Sequence, residues 1–238
     1  MALAISVVDV VVSFVFAVLV AREWLARRKL YQLLWSLALF IWTAAVLAET
    51  VAAYQGRWTP LTYRAYYAFG ALMVAAWLGA GSLFLVASRR VAYGFFAFVL
   101  LLSLAGGFLI FTWPIDPAAL TRTDVLGFVE TKVFPFFPVR VFIVISNIVG
   151  TVAFVGTALY SAWQFWRKRL DRERLVGVSL IALGGIVAAS AHSIGVLGGP
   201  ALFRSSQLIT ILLIFAGYLV GSLRLRRAAP AAAPSSSA

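Results

Sequence analysis

Residues 27–57 read RRKLYQLLWSLALFIWTAAVLAETVAAYQGR, and this stretch decides the class of fold. Three basic residues precede an apolar run from Leu30 to Gln55 that contains a single charge, Glu49, before Gly56 and Arg57 close it. At about 1.5 Å of rise per residue, such a run is long enough as a helix to cross roughly 30 Å of hydrocarbon. The rest of the chain repeats the pattern. With 63% hydrophobic residues, 12% charged residues and a mean hydropathy of +0.99, the 238 residues do not describe a water-soluble domain.

Apolar runs bounded by charge predict an all-α, polytopic membrane protein with seven transmembrane helices, at about 3–21, 31–54, 63–87, 91–112, 139–165, 175–197 and 203–223. The first run lacks a positively charged leader and carries Asp9, so it is read as a span, not a secretory signal. Seven spans occupy nearly all of a 1–227 transmembrane domain. Residues 113–138 form the one sizeable external loop, where Asp116 followed by Pro117 predicts the N-cap and first position of a short interfacial helix reaching about Val129. Phe134, Phe136 and Phe137 there suit the headgroup level, and the loop is expected to rest on the membrane. Residues 228–238, APAAAPSSSA after Ala228, read as a disordered tail.

Fourteen of the twenty Lys and Arg fall in alternate connections: around Arg27-Arg28-Lys29, Arg89-Arg90, Arg167 to Arg174, and Arg224 to Arg227. The positive-inside rule makes those ends cytoplasmic, giving an N-out, C-in topology in the cytoplasmic (inner) membrane. The net charge of +12 then reflects topology and attraction to anionic lipid headgroups. The basic segments are short and scattered, which excludes a nucleic-acid partner. With no cysteine, disulfides, thiolate metal sites and cysteine nucleophiles are excluded; a lone histidine excludes a bis-histidine haem or conventional zinc site built by this chain. No cofactor is expected. No enzymatic activity is expected either, since no metal-ligand pair, nucleophile elbow or close carboxylate pair occurs at helical spacing.

Asp9, Glu49 and His192 each lie about six residues, roughly 9 Å, below the outer end of their predicted helix. Asn147 lies slightly deeper, while Tyr63, Arg64, Tyr66 and Tyr67, Arg140, Arg204 and Gln207 ring the outer mouth. The cytoplasmic halves of the spans hold no ionisable group. Because an ionisable group in hydrocarbon costs a few kcal/mol, it faces the bundle interior and a partner. This predicts an outward-facing polar pocket whose ligand-binding residues are Asp9, Glu49, Tyr63, Arg64, Tyr67, Asn147, His192, Arg204 and Gln207. A purely structural alternative uses the same residues: Glu49 pairs with Arg64 or Arg204, Asp9 with Arg140, and His192 donates to a carbonyl, all to fix helix register. The Gly217-xxx-Gly221 spacing is read as close helix packing ahead of a dimer face.

A shift of 143 residues aligns Ser36-Leu37, Ala45, Ala48, Glu49, Thr50 and Gly56 with Ser179-Leu180, Ala188, Ala191, His192, Ser193 and Gly199. A shift of 140 aligns Arg64, Leu72, Ala76 and Gly81-Ser82-Leu83 with Arg204, Leu212, Ala216 and Gly221-Ser222-Leu223. These matches predict a 3+1+3 parallel internal repeat with its axis along the membrane normal, making Glu49 and His192 symmetry mates. The plan resembles the superfamily of PQ-loop and SWEET transporters and microbial rhodopsins. It lacks their motifs: there is no Pro-Gln dipeptide, and the only lysines, Lys29, Lys132 and Lys168, lie in loops, so no retinal Schiff base is expected. The stretch RAYYAFGAL from Arg64, followed by WLGAG from Trp77, also resembles bacterial seven-helix membrane proteins of unassigned function.

Three functions fit. A receptor- or sensor-like protein would bind a small ligand or ion from the extracytoplasmic side and signal to a cytoplasmic or membrane partner protein. A small-solute or proton-coupled transporter is the alternative, favoured by the repeat and disfavoured by the apolar inner half. A structural or assembly subunit is the third.

Overall fold

The computed structural model describes residues 2–123, 125, 133–169, 171–198 and 200–227, with side chains described for 3–123, 125, 133–169, 171–191 and 202–222. These residues are helical and include no strand. Seven helices are long and apolar enough to cross a membrane, the architecture of a multi-pass membrane protein. They are α1 (Ala2–Arg27), α2 (Leu30–Gln55), α3 (Pro60–Val86), α4 (Arg89–Thr112), α6 (Val141–Arg167), α7 (Arg172–Gly198) and α8 (Pro200–Arg227); the short α5 (Pro117–Arg122) lies between α4 and α6.

The helix ends follow from local chemistry. Gly56, at φ 67°, caps α2 in the left-handed region, and its N–H bonds back to the carbonyls of Ala52 and Ala53. Three residues later Thr59 opens α3: its hydroxyl accepts from the Thr62 N–H at 3.2 Å, while the Thr59 N–H donates to the Thr62 hydroxyl at 3.0 Å, and Pro60 fills the first helical position. Asp116 caps α5 by accepting from the Ala118 N–H at 2.9 Å, and Pro117 follows it. At the other end of the bundle α1 turns into α2 through Arg28 and Lys29 alone, with Arg28 at φ 54°; α6 ends in a similar turn, with Arg169 at φ 47°.

Packing forms a ring. α1 packs on α2, α2 on α3, α3 on α6, α6 on α7, α7 on α8, and α8 returns to α1, while α4 lies outside against α3 and touches α6 only lightly. Lipid tails are as apolar as the side chains they would replace, so close contact and polar bonds between helices hold such a ring together. Glycine supplies the close contact. A Cβ on Gly217 would stand 2.5 Å from the Gly177 carbonyl oxygen, and one on Gly79 would stand 2.6 Å from that of Gly150. The Gly217-xxx-Gly221 face is therefore occupied within the chain, against Gly177 of α7.

The ring is filled differently at its two ends. Towards the basic end, Phe16, Val20, Trp35, Leu39, Trp42, Leu78, Phe154, Ile211 and Ile214 form one buried apolar core. Towards the opposite end, Trp58, Tyr63, Tyr66 and Tyr67 pack beneath Ala119, Leu120, Val133 and Phe134 of the α4–α6 connection. Phe136 and Phe137 of that connection are exposed.

Candidate functional site

α1 is nearly all apolar, yet its buried face is not. Ser6, Asp9 and Ser13, spaced three and four residues apart, share one side of the helix and are 3%, 2% and 0% exposed. The seam they form is met by α2 and α8. Asp9 Oδ1 accepts from Trp42 Nε1 at 3.2 Å, and Thr43 donates to the Ser13 hydroxyl at 3.1 Å.

Arg204, in the first turns of α8, joins this seam at its upper end. Its Nε stands 3.1 Å from Glu49 Oε1, with both side chains 1% exposed. Its Nη1 donates to the Ser6 hydroxyl at 2.7 Å, and Nη2 donates to the carbonyl of Val125 in the α4–α6 connection. One guanidinium thus joins α1, α2 and the covering connection. Beside it, Gln207 Nε2 donates to the Tyr66 hydroxyl at 3.4 Å, linking α8 to α3.

Among the sequence-predicted residues, Asp9, Glu49, Arg204 and Gln207 come together in this seam. Of the two arginines proposed for Glu49, it is Arg204 that pairs with it. Asp9 takes Trp42 as its hydrogen-bond donor; Arg140 instead lies over the Phe136 ring, 5.7 Å from its centroid. His192 lies outside the residues whose side chains are described.

Four others serve neighbouring structure. Arg64 turns away from the seam and donates to the carbonyls of Ile110 and Trp113, the latter at 2.8 Å, so it clasps the C-terminal end of α4 where the macrodipole favours a cation. Tyr63 and Tyr67 are buried in an aromatic cluster, their ring centroids 4.7 Å apart and each 5.5 Å from Phe134. They lie under the connection, not around an open mouth. Asn147 answers a backbone irregularity. Residues Tyr67–Met73 of α3 form a π-helical segment, and a wide turn leaves carbonyls without their usual i→i−4 donors. Asn147 Nδ2 donates to the Ala71 carbonyl, and Ser146 Oγ donates to that of Leu72 at 2.5 Å.

Sequence reading missed Ser6, Ser146, Trp42 and the Val125 carbonyl. Ser6 carried a signal, a hydroxyl one helical turn from Asp9 on the same face. The others carried none, because an indole or a carbonyl becomes a partner only once the helices are assembled.

Chemically, the seam is a polar cluster in which two carboxylates and a guanidinium share a buried interior. Such an arrangement is stable only while its partners stay in place, since an unpaired buried charge is costly. Among the described residues, no group of three or more histidines, cysteines or carboxylates is close enough to hold a metal ion. No protein-family model, curated protein or solved structure matches the chain.

Proposed function

We propose that this chain is a receptor- or sensor-like protein of the cytoplasmic (inner) membrane, with its N-terminus outside, in which a small ligand or ion arriving at the outer end acts on the Glu49–Arg204 seam through the connection that covers it. The single observation carrying this reading is the three-way bonding of Arg204. Val125 belongs to the covering connection, Ser6 and Glu49 to helices that run the full depth of the membrane. A shift of the connection therefore changes the partners of a buried charge, and the cost of that change is felt by α1, α2 and α8 together. Those helices end in the basic segments 27–29 and 224–227, which under the positive-inside rule face a cytoplasmic or membrane partner protein.

Proton-coupled or small-solute transport is the second reading, favoured by the ring itself. In both α1–α2–α3 and α6–α7–α8 consecutive helices pack on one another, and α4 lies outside the ring, which is compatible with the linker a 3+1+3 repeat would need. Against it stands the apolar plug of Phe16, Trp35, Trp42 and Phe154 in the basic half. As a structural subunit, the protein would use the same ion pair only to fix helix register.

The readings separate by experiment. Leu120→Ala loosens the connection by removing a buried side chain that packs over the tyrosines. In lipid nanodiscs, hydrogen–deuterium exchange should then rise in α1, α2 and α8 at the ends remote from Leu120, and this remote effect should vanish in a Glu49→Leu/Arg204→Met background. Exchange that rises only around α5 would refute the coupling and leave the structural role. Solute accumulation in proteoliposomes would favour transport.

A further inference from the structure

A second site lies above the seam and shares with it only Val125, which lines this site and whose carbonyl accepts from Arg204. Between the α2–α3 turn and the α5 segment is an open cleft of about 570 Å³, lined by Arg57, Trp58, Thr59, Thr121, Arg122 and Val125 among others. Among the described residues the charged lining residues are Arg57 and Arg122, and both are exposed. Among the described residues neither makes an ion pair; the described pairs are Arg174–Asp171 and Arg204–Glu49. The first turn of α3 opens onto the same cleft through Thr59, adding the positive end of a long helix.

The cleft is also concave on a rigid frame. Gly56 fixes the chain direction after α2, the Thr59–Thr62 capping box fixes it into α3, and Trp58 is buried against Tyr63 at a ring-centroid distance of 5.7 Å. Arg57 is thus presented from a turn with little freedom. Arg122, from the last turn of α5, faces the cleft from the connection. Two planar guanidiniums on opposite lining segments of one cleft can each bond two oxygens of a tetrahedral phosphoryl group, which a monatomic anion cannot offer, and both repel a cation.

We infer that this cleft binds a phosphate-class anion, with Arg57 and Arg122 as the two cationic arms. The inference does not depend on the receptor reading, since neither arginine touches the Glu49–Arg204 pair. The phosphoryl group has two sources at this position, a free phosphate or phosphomonoester and the headgroup of an anionic phospholipid.

The test uses the full chain in nanodiscs, with inorganic phosphate as the probe and thermal unfolding plus isothermal titration as readouts. In phosphatidylcholine discs, inorganic phosphate should stabilise the parent saturably. Its affinity should fall at least fivefold in Arg57→Gln or Arg122→Gln, vanish in the double variant, and survive in part in Arg57→Lys/Arg122→Lys. Exposed positions make these variants safe for folding, and Arg90→Gln, on the opposite face, serves as the charge-matched control. If a lipid headgroup is the natural occupant, phosphatidylglycerol discs will stabilise the parent over the double variant and abolish its response to added phosphate. Two results overturn the site: no response to phosphate or to phosphatidylglycerol in the parent, or a response that the double variant retains. The first would mean that the cleft holds no anion; the second would place the anion elsewhere.

Discussion

Removing one member of the Glu49–Arg204 pair should be far more damaging than removing both. The two side chains face each other at 3.1 Å with 1% of each exposed, so neither has water to fall back on. Breaking a buried pair from one side costs about 3–5 kcal/mol, whereas replacing both members with apolar residues of similar volume is often neutral. Glu49→Gln and Arg204→Met should therefore each lose about 3–5 kcal/mol, and Glu49→Leu/Arg204→Met should fall within about 1 kcal/mol of the parent. The remaining partners distinguish the two single variants. In Glu49→Gln the guanidinium keeps Ser6 and Val125, but it cannot give up its charge. In Arg204→Met a carboxyl is left without its cation, and a proton can neutralise it. Acidification should thus relieve Arg204→Met and leave Glu49→Gln unchanged. Reversible unfolding in mixed micelles, repeated across pH, measures all three. A double variant as damaged as the sum of the singles, or singles costing under about 1 kcal/mol, would refute the reasoning.

Other predictions rest on different contacts. Removing the α6 donors with Ser146→Ala/Asn147→Ala leaves the Ala71 and Leu72 carbonyls of the π-helical segment without these partners; at about 0.6 kcal/mol per interhelical bond on average, and up to about 1.7, the double variant should lose about 1–3 kcal/mol in the same unfolding assay. Gly217→Ala places a methyl 2.5 Å from the Gly177 carbonyl oxygen and should cost about 1–3 kcal/mol by forcing α7 and α8 apart, while Gly94→Ala, with no atom within 4 Å of the new methyl, should be neutral or slightly stabilising. Because the chain has no cysteine, single substitutions report topology directly: Thr121→Cys in intact cells should react with an impermeant maleimide and Arg90→Cys should not, and the reverse pattern would invert the proposed orientation.

The spans were legible because hydropathy depends on no partner. Their ends were less so: α1 was expected to stop at 21 and runs to Arg27, since Glu23, Trp24 and Leu25 continue the backbone ladder without needing lipid. Depth singled out Asp9 and Glu49 because a carboxylate in an apolar run stands out wherever it points. Which arginine would meet Glu49 was not legible. Arg64 and Arg204 occupy similar depths, and only the rotation of α3 and α8 about their axes sends one to the α4 terminus and the other to the seam. Hydropathy does not encode that rotation when both lipid and core are apolar. Asn147 was read as part of the pocket because its partner, a carbonyl released by the π-helical segment, leaves no mark on apolar periodicity. Tyr63 and Tyr67 were read as ligand-binding residues at an open mouth because hydropathy does not register the connection that brings Phe134 over them.

The ring is closed by its first and last helices, and this imposes an order in time. Glu49 belongs to the second helix to be made and Arg204 to the last, 155 residues later in the chain. At about 5–20 residues per second of synthesis, roughly 8–30 s separate the two. Throughout that interval α2 resides at the membrane with its carboxyl facing a partner that does not yet exist. Final assembly must therefore wait for α8, and a chain interrupted before Arg204 retains a defect that no earlier helix can mend.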